Sequence, residues 1–236
     1  MPALVQVVVE TARQAGWETS GSYGLVMTHV LLISGSTRDE SLHSAALRTA
    51  TRLAPAGTTA TLYDGLRELP AFVPGAAPPD AVARLRHLVA AADVLLFSTP
   101  EYIGSLPGSL KNLLDWLVAG GDLHDRPAAW FSVSAPGQDE GACAALEAAL
   151  GHGNARLMRW ACIRTPLAPD AVGPEGLIDD PHLHLALRDM MRAFGRFLTA
   201  APQPRQSPSW QAYSSVYPLV VPRSGPSAPG GWRSQI

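Results

Sequence analysis

A short apolar run passes directly into a polar loop at residues 29–43, which read HVLLISGSTRDESLH. The run His29–Ser34 is almost wholly apolar, as expected of a strand that is buried on both faces of a sheet. Leucine and alanine then recur at helical spacing, at Leu42, Ala45, Ala46, Ala50 and Leu53. A strand, a polar loop and a helix in this order predict the first unit of an α/β fold with a parallel sheet.

The same alternation of short apolar runs and helical patterns continues to about residue 200. Further strands are predicted at Thr59–Tyr63, Val94–Ser98 and Ala128–Ser134, and near Ala155–Ile163. Helices are predicted to begin at Pro78-Pro79-Asp80 and at Pro107, to cover Gly141–Leu150, and to run from Leu187 to Leu198. Five strands and five helices predict an open five-stranded parallel sheet with helices on both faces. Its strand order could be that of dinucleotide-binding domains or that of flavodoxin.

Two flanking segments lack this pattern. Residues 1–27 show no clear period, and Met27 offers a start directly before the first strand, so they are interpreted as a dispensable N-terminal extension. An ordered extra strand around Leu4–Val9 is the alternative. Residues 201–236 form a Pro/Ser/Gly-rich tail with seven prolines and several aromatic residues, either docked on the folded protein or mobile. The region between them, residues 28–200, is the predicted domain.

Composition excludes several classes of protein. The chain is 47% apolar and only 16% charged, which excludes a wholly disordered chain. Its net charge of −2 argues against electrostatic capture of nucleic acid or of an anionic membrane. No apolar run approaches the roughly 20 residues of a membrane helix. Cys143 and Cys162 form no C-x-x-C motif, and we find no secretory signal, so we expect a cytoplasmic protein without a disulfide framework.

Motifs for nucleotide hydrolysis, acyl transfer and metal binding are missing from the sequence. The single lysine, Lys111, lies between Leu110 and Asn112, so no Walker A motif exists. The chain also has no G-x-S-x-G and no H-E-x-x-H, and His182 and His184 fall on different faces of a helix. We therefore predict no metal site.

The loop after the first strand has the composition of a phosphate site. It contains one glycine, then the hydroxyls of Ser36, Thr37 and Ser41, which can donate to a terminal phosphate together with the free N–H groups of the helix start. Arg38 adds a full charge and a forked donor. An ordinary turn with Ser41 as an N-cap remains the alternative interpretation.

The loop after the third strand supplies the second motif, TPEYIGSLPGSLKNLLDW at residues 99–116. Pro100 ends the strand, and Gly104 and Gly108 let the backbone approach a flat ligand. This segment, together with GSTRDESLH in the first loop, resembles the NADPH-dependent FMN reductase family. That family has a flavodoxin-like fold and includes quinone, azo-dye and chromate reductases. The resemblance covers roughly residues 28–200.

The resemblance implies a bound FMN and names the residues that would hold it. Its phosphate would lie in the first loop, and its isoalloxazine ring would lie against the loops after the third and fourth strands. The implied residues are Ser36, Thr37, Arg38, Ser41 and His43 for the phosphate, Pro100, Glu101, Tyr102, Ile103 and Gly104 for the ring edge, and Ser134 to complete the ring site. The family commonly carries asparagine at the positions of His43 and Ile103.

The implied activity is transfer of hydride from NADPH or NADH to FMN and onward to a quinone, an azo compound, free flavin or another small acceptor. The cofactor carries the chemistry, so no catalytic side chain is expected. A flavodoxin-type electron carrier without nicotinamide turnover is the alternative. The nearly neutral charge and the single aromatic residue of the third loop's PEYIGS segment, Tyr102, favour the reductase. Association into a homodimer or homotetramer is also expected from the resemblance.

Overall fold

Strand β1, Thr28–Ser34, is the apolar run of the sequence, and it lies inside the sheet. In the computed structural model, which describes residues 27–199, it pairs in parallel with β2, Thr58–Tyr63, and β3, Val94–Ser98. Strand β4, Pro127–Ser132, pairs with β3. A short fifth strand, β5 (Arg156–Leu157), pairs with β4. The order β2-β1-β3-β4-β5 is that of flavodoxin, so the dinucleotide-binding order is excluded. The predictions for residues 1–26 and 201–236 lie outside the described residues.

The strand predicted near Ala155–Ile163 is divided into two short pieces. These are β5, Arg156–Leu157, and β6, Ile163–Arg164, which both pair with β4. From the last β5 pair, Ala128 with Leu157, to the first β6 pair, Phe131 with Ile163, β4 advances by three residues and the paired segment by six, so three residues are surplus. They form a 3₁₀ turn, Arg159–Ala161, which buries Ala161 and leaves the Trp160 ring half-exposed.

Within residues 27–199, five α-helices cover the sheet in two layers. They are α1 (Leu42–Leu53), α2 (Asp80–Ala91), α3 (Gly108–Gly120), α4 (Glu140–His152) and α5 (Pro181–Thr199). Val30 and Leu32 of β1 pack with α1 and α5, whereas Leu31 and Ile33 pack with α2, α3 and α4. This arrangement confirms the predicted three-layer α/β sandwich.

One smaller difference from the sequence prediction affects the site. The fourth strand ends at Ser132, so Val133 and Ser134 belong to the loop that follows it.

Both cysteines are free thiols, and burial is the main cause that raises the pKa of Cys143 to about 12. None of the helices within residues 27–199 is long and apolar enough to cross a membrane.

Candidate functional site

A cavity of about 480 Å³ lies where the loops after β1, β3 and β4 meet. All these strands are parallel, so their carboxyl ends share one edge of the sheet, and β1 and β3 are neighbours at the switch point of the fold. Ligands of open α/β sheets bind at such a crevice. The cavity is therefore in the place where the fold itself predicts a binding site.

Seven of the residues named from the sequence line this cavity together. They are Ser36, Arg38, Ser41, His43, Pro100, Tyr102 and Ser134. Thr37 instead lines an adjoining cavity of about 190 Å³, and Glu101, Ile103 and Gly104 line neither. Sequence reasoning missed Gln138, Leu167 and Pro169, which also line the cavity. The last two follow β6 and carry no motif, so only the fold brings them here.

The first loop begins with a close approach to the third. The Gly35 N–H donates to the Ser98 carbonyl at 2.8 Å, which ties the loop to the end of β3. A side chain at Gly35 would place its Cβ 2.6 Å from the Thr99 Cβ, nearer than real Cβ atoms come. Only glycine at position 35 therefore lets the two loops approach this closely.

Ser41 lies at the N-cap position of α1 but does not cap the helix with its side chain. Its hydroxyl makes no capping hydrogen bond, and the residue is only 7% exposed beside the cavity. The first backbone bond of the helix runs from the Ala45 N–H to the Ser41 carbonyl, so the preceding N–H groups have no partner within the helix. The helix start therefore offers a hydroxyl and several amides as donors, and the N-capping alternative loses its main support.

Arg38 is exposed at the cavity wall, and within residues 27–199 its guanidinium makes no hydrogen bond or ion pair. The residues on either side of it are held in place. The Arg67 guanidinium donates to the Thr37 carbonyl and, at 2.8 Å, to the Asp39 carboxylate. Arg48 donates to the Asp39 carbonyl at 3.4 Å. The loop is thus fixed while its own arginine stays free for an anionic ligand.

His43 points inward from the first turn of α1 and is 6% exposed. Its Nδ1 lies 2.9 Å from the Ser98 hydroxyl, and its Nε2 lies 3.3 Å from the Ser134 hydroxyl. Burial lowers the pKa of His43 to about 4, despite the opposing charge of Asp139. The ring is neutral at pH 7 and both its nitrogens are engaged.

The third loop contains a tight turn at Tyr102–Ser105. The Tyr102 N–H donates to the Ser105 carbonyl at 2.9 Å, and the Ser105 N–H donates to the Tyr102 carbonyl at 3.1 Å. Ile103 and Gly104 have φ angles of 53° and 68°, which is the pattern of a type I′ turn. Such a turn favours Asn-Gly, and a left-handed conformation costs a β-branched residue about 1–2 kcal/mol.

The side chain of Ile103 is fully exposed at the tip of this turn, outside the cavity. The departure from asparagine therefore strains the turn and leaves an apolar side chain in water. It does not change a side chain that faces the cavity.

Glu101 supports the neighbouring helix. Its carboxylate accepts the Ala142 N–H at 3.0 Å in the first turn of α4, so the side chain does not line the cavity. A Cβ on Gly141 would collide with the Gly104 carbonyl group, whose carbon would be only 2.7 Å away. The third loop thus rests directly on the start of α4.

Replacing Gly141 with alanine should displace this loop and destabilise the protein by about 1–3 kcal/mol, the usual cost of overpacking. Gly151→Ala is the matched control in the same helix, because no atom lies within 4 Å of its Cβ position. That control should be neutral or stabilising by up to about 1 kcal/mol. Urea unfolding of both variants measures the difference. Equal stabilities would show that the loop does not rest on α4.

The loop after β4 is held by a buried carboxylate. Asp139, at the N-cap of α4, is fully buried, and the Arg164 Nε lies 3.0 and 2.9 Å from its two oxygens. Arg164 also lies over the Trp130 ring, 4.9 Å from its centre. The pair joins β6 to the loop that carries Ser134.

No group of three or more metal-ligating side chains occurs within residues 27–199.

Comparison with known proteins agrees with this geometry. A family model described as NADPH-dependent FMN reductase matches residues 28–162, more than half of the chain. An NAD(P)H-dependent FMN reductase of Pseudomonas aeruginosa is 42% identical over 111 residues, which cover 45% of this chain and 60% of that protein. A quinone reductase of Pseudomonas putida is 36% identical over 89 residues, covering 36% of this chain and 47% of that protein. The chain thus spans about half the length of the curated relatives it matches.

A solved structure extends the likeness over the whole fold. FerB, a flavoenzyme NAD(P)H:(acceptor) oxidoreductase from Paracoccus denitrificans, superposes with a TM-score of 0.58 at 26% identity. The superposition covers 72% of this chain and 97% of FerB. The strand order, the two loop motifs at the switch point and the family match agree, and the chain belongs to the NADPH-dependent FMN reductase family.

Proposed function

We propose that the cavity binds FMN and that the protein is an NAD(P)H-dependent oxidoreductase. It would reduce a quinone, an azo compound, free flavin or another small acceptor. The observation that carries this proposal is the set of free donors at one end of the cavity. These donors are the guanidinium of Arg38, which has no partner within residues 27–199, the hydroxyl of Ser41, which does not cap the helix, and the amides of the α1 start.

The donor set fits a phosphate monoester. Such a group is nearly dianionic and has three acceptor oxygens, which suit one guanidinium, one hydroxyl and a helix N-terminus. The other end of the cavity is formed by the third and fourth loops, at Pro100, Tyr102 and Ser134. A volume of about 480 Å³ falls within the range of small-molecule sites. The residues present therefore fit FMN with its phosphate at the first loop.

The division of labour follows from this placement. When bound, FMN supplies the redox chemistry by accepting and passing on a hydride. The protein fixes the phosphate end through Arg38 and Ser41 and shapes access to the ring through the third loop. Tyr102 is half-exposed at the cavity wall, where a second small molecule would enter. No side chain of this chain needs to move a proton for the hydride step.

The alternative function is that of an electron carrier without nicotinamide turnover. Carriers of this fold are strongly acidic and bracket the flavin with aromatic rings. This chain has a net charge of −2, and Tyr102 is the one Phe, Trp or Tyr among the residues that line the cavity. Anaerobic rapid mixing of the FMN-loaded protein with NADPH or NADH separates the two functions. The reductase loses its flavin absorbance within one turnover, and the carrier keeps it.

We further infer a homodimer or homotetramer in the cytoplasm, acting without nucleic acid or membrane as partner. Exposed Ile103 and half-exposed Tyr102 on the third loop support association, because a second copy would cover both. The free thiols of Cys143 and Cys162 suit a reducing compartment. The proposed unit of function is the domain at residues 28–200. Light scattering of the purified protein tests the assembly.

Arg67 is expected to contribute more to the affinity for FMN than to the free energy of unfolding. Its ion pair with Asp39 is exposed on both sides, so Arg67→Ala should cost at most about 1 kcal/mol of unfolding free energy. The same change removes the hydrogen bond to the Thr37 carbonyl, so the first loop would have to be ordered when FMN binds. The cost of that ordering should weaken FMN binding about three- to tenfold. Titration with FMN and urea unfolding measure the two effects.

Arg84→Ala is the matched control for this prediction. Arg84 forms a similarly exposed ion pair with Glu68, 3.0 Å apart, and within residues 27–199 it makes no hydrogen bond or ion pair to the first loop. It should leave the affinity for FMN unchanged. If Arg67→Ala also leaves the affinity for FMN unchanged, the hydrogen bonds from Arg67 to the first loop do not contribute to binding.

A further inference from the structure

We propose that His43 is a neutral positioning residue for the flavin ring site, acting through Ser134, and not a ligand of the phosphate. The inference rests on the proposed function, because it assigns a role within the FMN cavity. It reverses the role that the position of His43, in the phosphate loop motif, had implied. The geometry of the two hydrogen bonds of the His43 ring, to Ser98 and to Ser134, carries it.

His43 joins the three elements that form the cavity. It belongs to α1, its Nδ1 contacts the Ser98 hydroxyl at the end of β3, and its Nε2 contacts the Ser134 hydroxyl after β4. Ser98 is 1% exposed and so has no access to water as an alternative partner. A neutral imidazole has one donor nitrogen and one acceptor nitrogen. If the ring donates a hydrogen bond to one serine hydroxyl, it must therefore accept a hydrogen bond from the other.

In the hydrogen-bonded series Ser98–His43–Ser134, Ser134 is the residue that faces the ligand. It is partly exposed at the cavity wall, and its N–H is already bonded to the Ser132 hydroxyl at 3.3 Å. Without His43 its hydroxyl could rotate freely. With His43 in place the hydroxyl has one fixed partner behind it and can direct its remaining hydrogen-bonding capacity into the cavity.

The charges around the imidazole do not overturn its neutral state. Asp139 faces it from the start of α4, but Arg164 neutralises that carboxylate through both oxygens. Arg38 and Glu40 lie on the same cavity wall with opposite charges. Burial is the dominant influence and lowers the pKa of His43. The two serine hydroxyls can satisfy a neutral ring completely.

Two amide substitutions separate the two hydrogen bonds. Asparagine places its amide at the δ position and can reach Ser98, whereas glutamine places it at the ε position and can reach Ser134. His43→Asn is expected to weaken FMN and riboflavin equally, by about five- to tenfold, the effect of one lost hydrogen bond. His43→Gln should bind both flavins almost as the wild type does. Ser134→Ala should match His43→Asn, and the double variant should lose no more than either single one.

The opposite outcomes overturn the proposal. A loss confined to FMN would make His43 a phosphate ligand, and additive losses in the double variant would separate it from Ser134. Histidine ¹⁵N NMR of the full-length wild type, with and without FMN, provides a second measurement that needs no variant. The signal of His43 should stay that of a neutral ring from pH 5.5 to 8, and a titration near pH 6.5 would refute the assignment. A wild type that binds no flavin refutes the proposed function, while the NMR result still decides the state of His43.

Discussion

Arg38→Ala is expected to weaken FMN binding about 10- to 150-fold and to leave riboflavin almost unaffected. The two ligands share the ring and the ribityl chain and differ only in the phosphate. Arg38 has no partner within the described residues 27–199, so its guanidinium is free to make a charge-assisted bond of about 1.5–3 kcal/mol. Titration of both flavins into wild-type and variant apoprotein measures the effect.

Two further variants make this prediction specific. Arg38→Lys should recover only part of the affinity, because an ammonium keeps the charge but lacks the forked geometry. Arg52→Ala removes an exposed arginine that lies in α1 and does not line this cavity, and it should change neither affinity. Equal weakening of FMN and riboflavin by Arg38→Ala would mean that Arg38 supports the shape of the loop and does not bind the phosphate.

The second large effect is a dependence of stability on pH that His43 alone causes. Burial lowers the pKa of His43 to about 4 in the folded protein, whereas an unfolded histidine has a pKa of about 6.5. Between these values the unfolded chain binds the proton and the folded one does not, so acid favours unfolding. The contribution of His43 is complete above pH 6.5 and falls as the pH drops towards 4. At pH 4 the loss amounts to about 3 kcal/mol.

The difference between wild type and His43→Asn isolates this contribution, because the other titrating groups are common to both. Urea unfolding from pH 7 to pH 4 should show the wild type losing about 3 kcal/mol more than the variant. His87→Asn, on the exposed side of α2, should follow the wild type. Parallel curves for the wild type and His43→Asn would show that the imidazole titrates normally and is not buried as described.

The fold could be predicted from the sequence because each element carries its own local pattern. The run at β1 is apolar throughout, and α5 repeats buried residues at helical spacing, at Leu183, Leu187, Met190, Met191 and Phe194. The order of the strands could not be predicted in the same way. Whether β1 lies beside β3 depends on contacts between residues more than 60 positions apart, such as Val30 with Val94. The division of the last strand likewise depends on its register with β4.

The site was predictable only where function follows from position at a strand end. Ser36, Arg38 and Tyr102 directly follow strands, so the topology of the sheet brings them to one cavity. The roles of side chains inside these loops were not predictable. Glu101 turns to the first turn of α4, and His43 turns to two serines that lie 55 and 91 residues further along the chain. Such choices depend on packing between elements, and no motif records them.

The buried pair of Asp139 and Arg164 shows the same limit. Nothing in the sequence distinguishes these two residues from the other charged ones, yet Asp139 is fully buried and holds the fourth loop to β6. The pair stabilises the loop that carries Ser134 and so contributes to the site at a distance. A carboxylate buried this deeply requires such a partner.

The absorption spectrum of the purified full-length protein, recorded after free flavin is removed and FMN is added back, tests the central claim most directly. We expect the visible bands of oxidised flavin to remain with the protein at one flavin per chain, and the flavin released on denaturation to be FMN. A protein that retains no flavin after addition of FMN would contradict the account, because the cavity beside the first loop would then not be a flavin site.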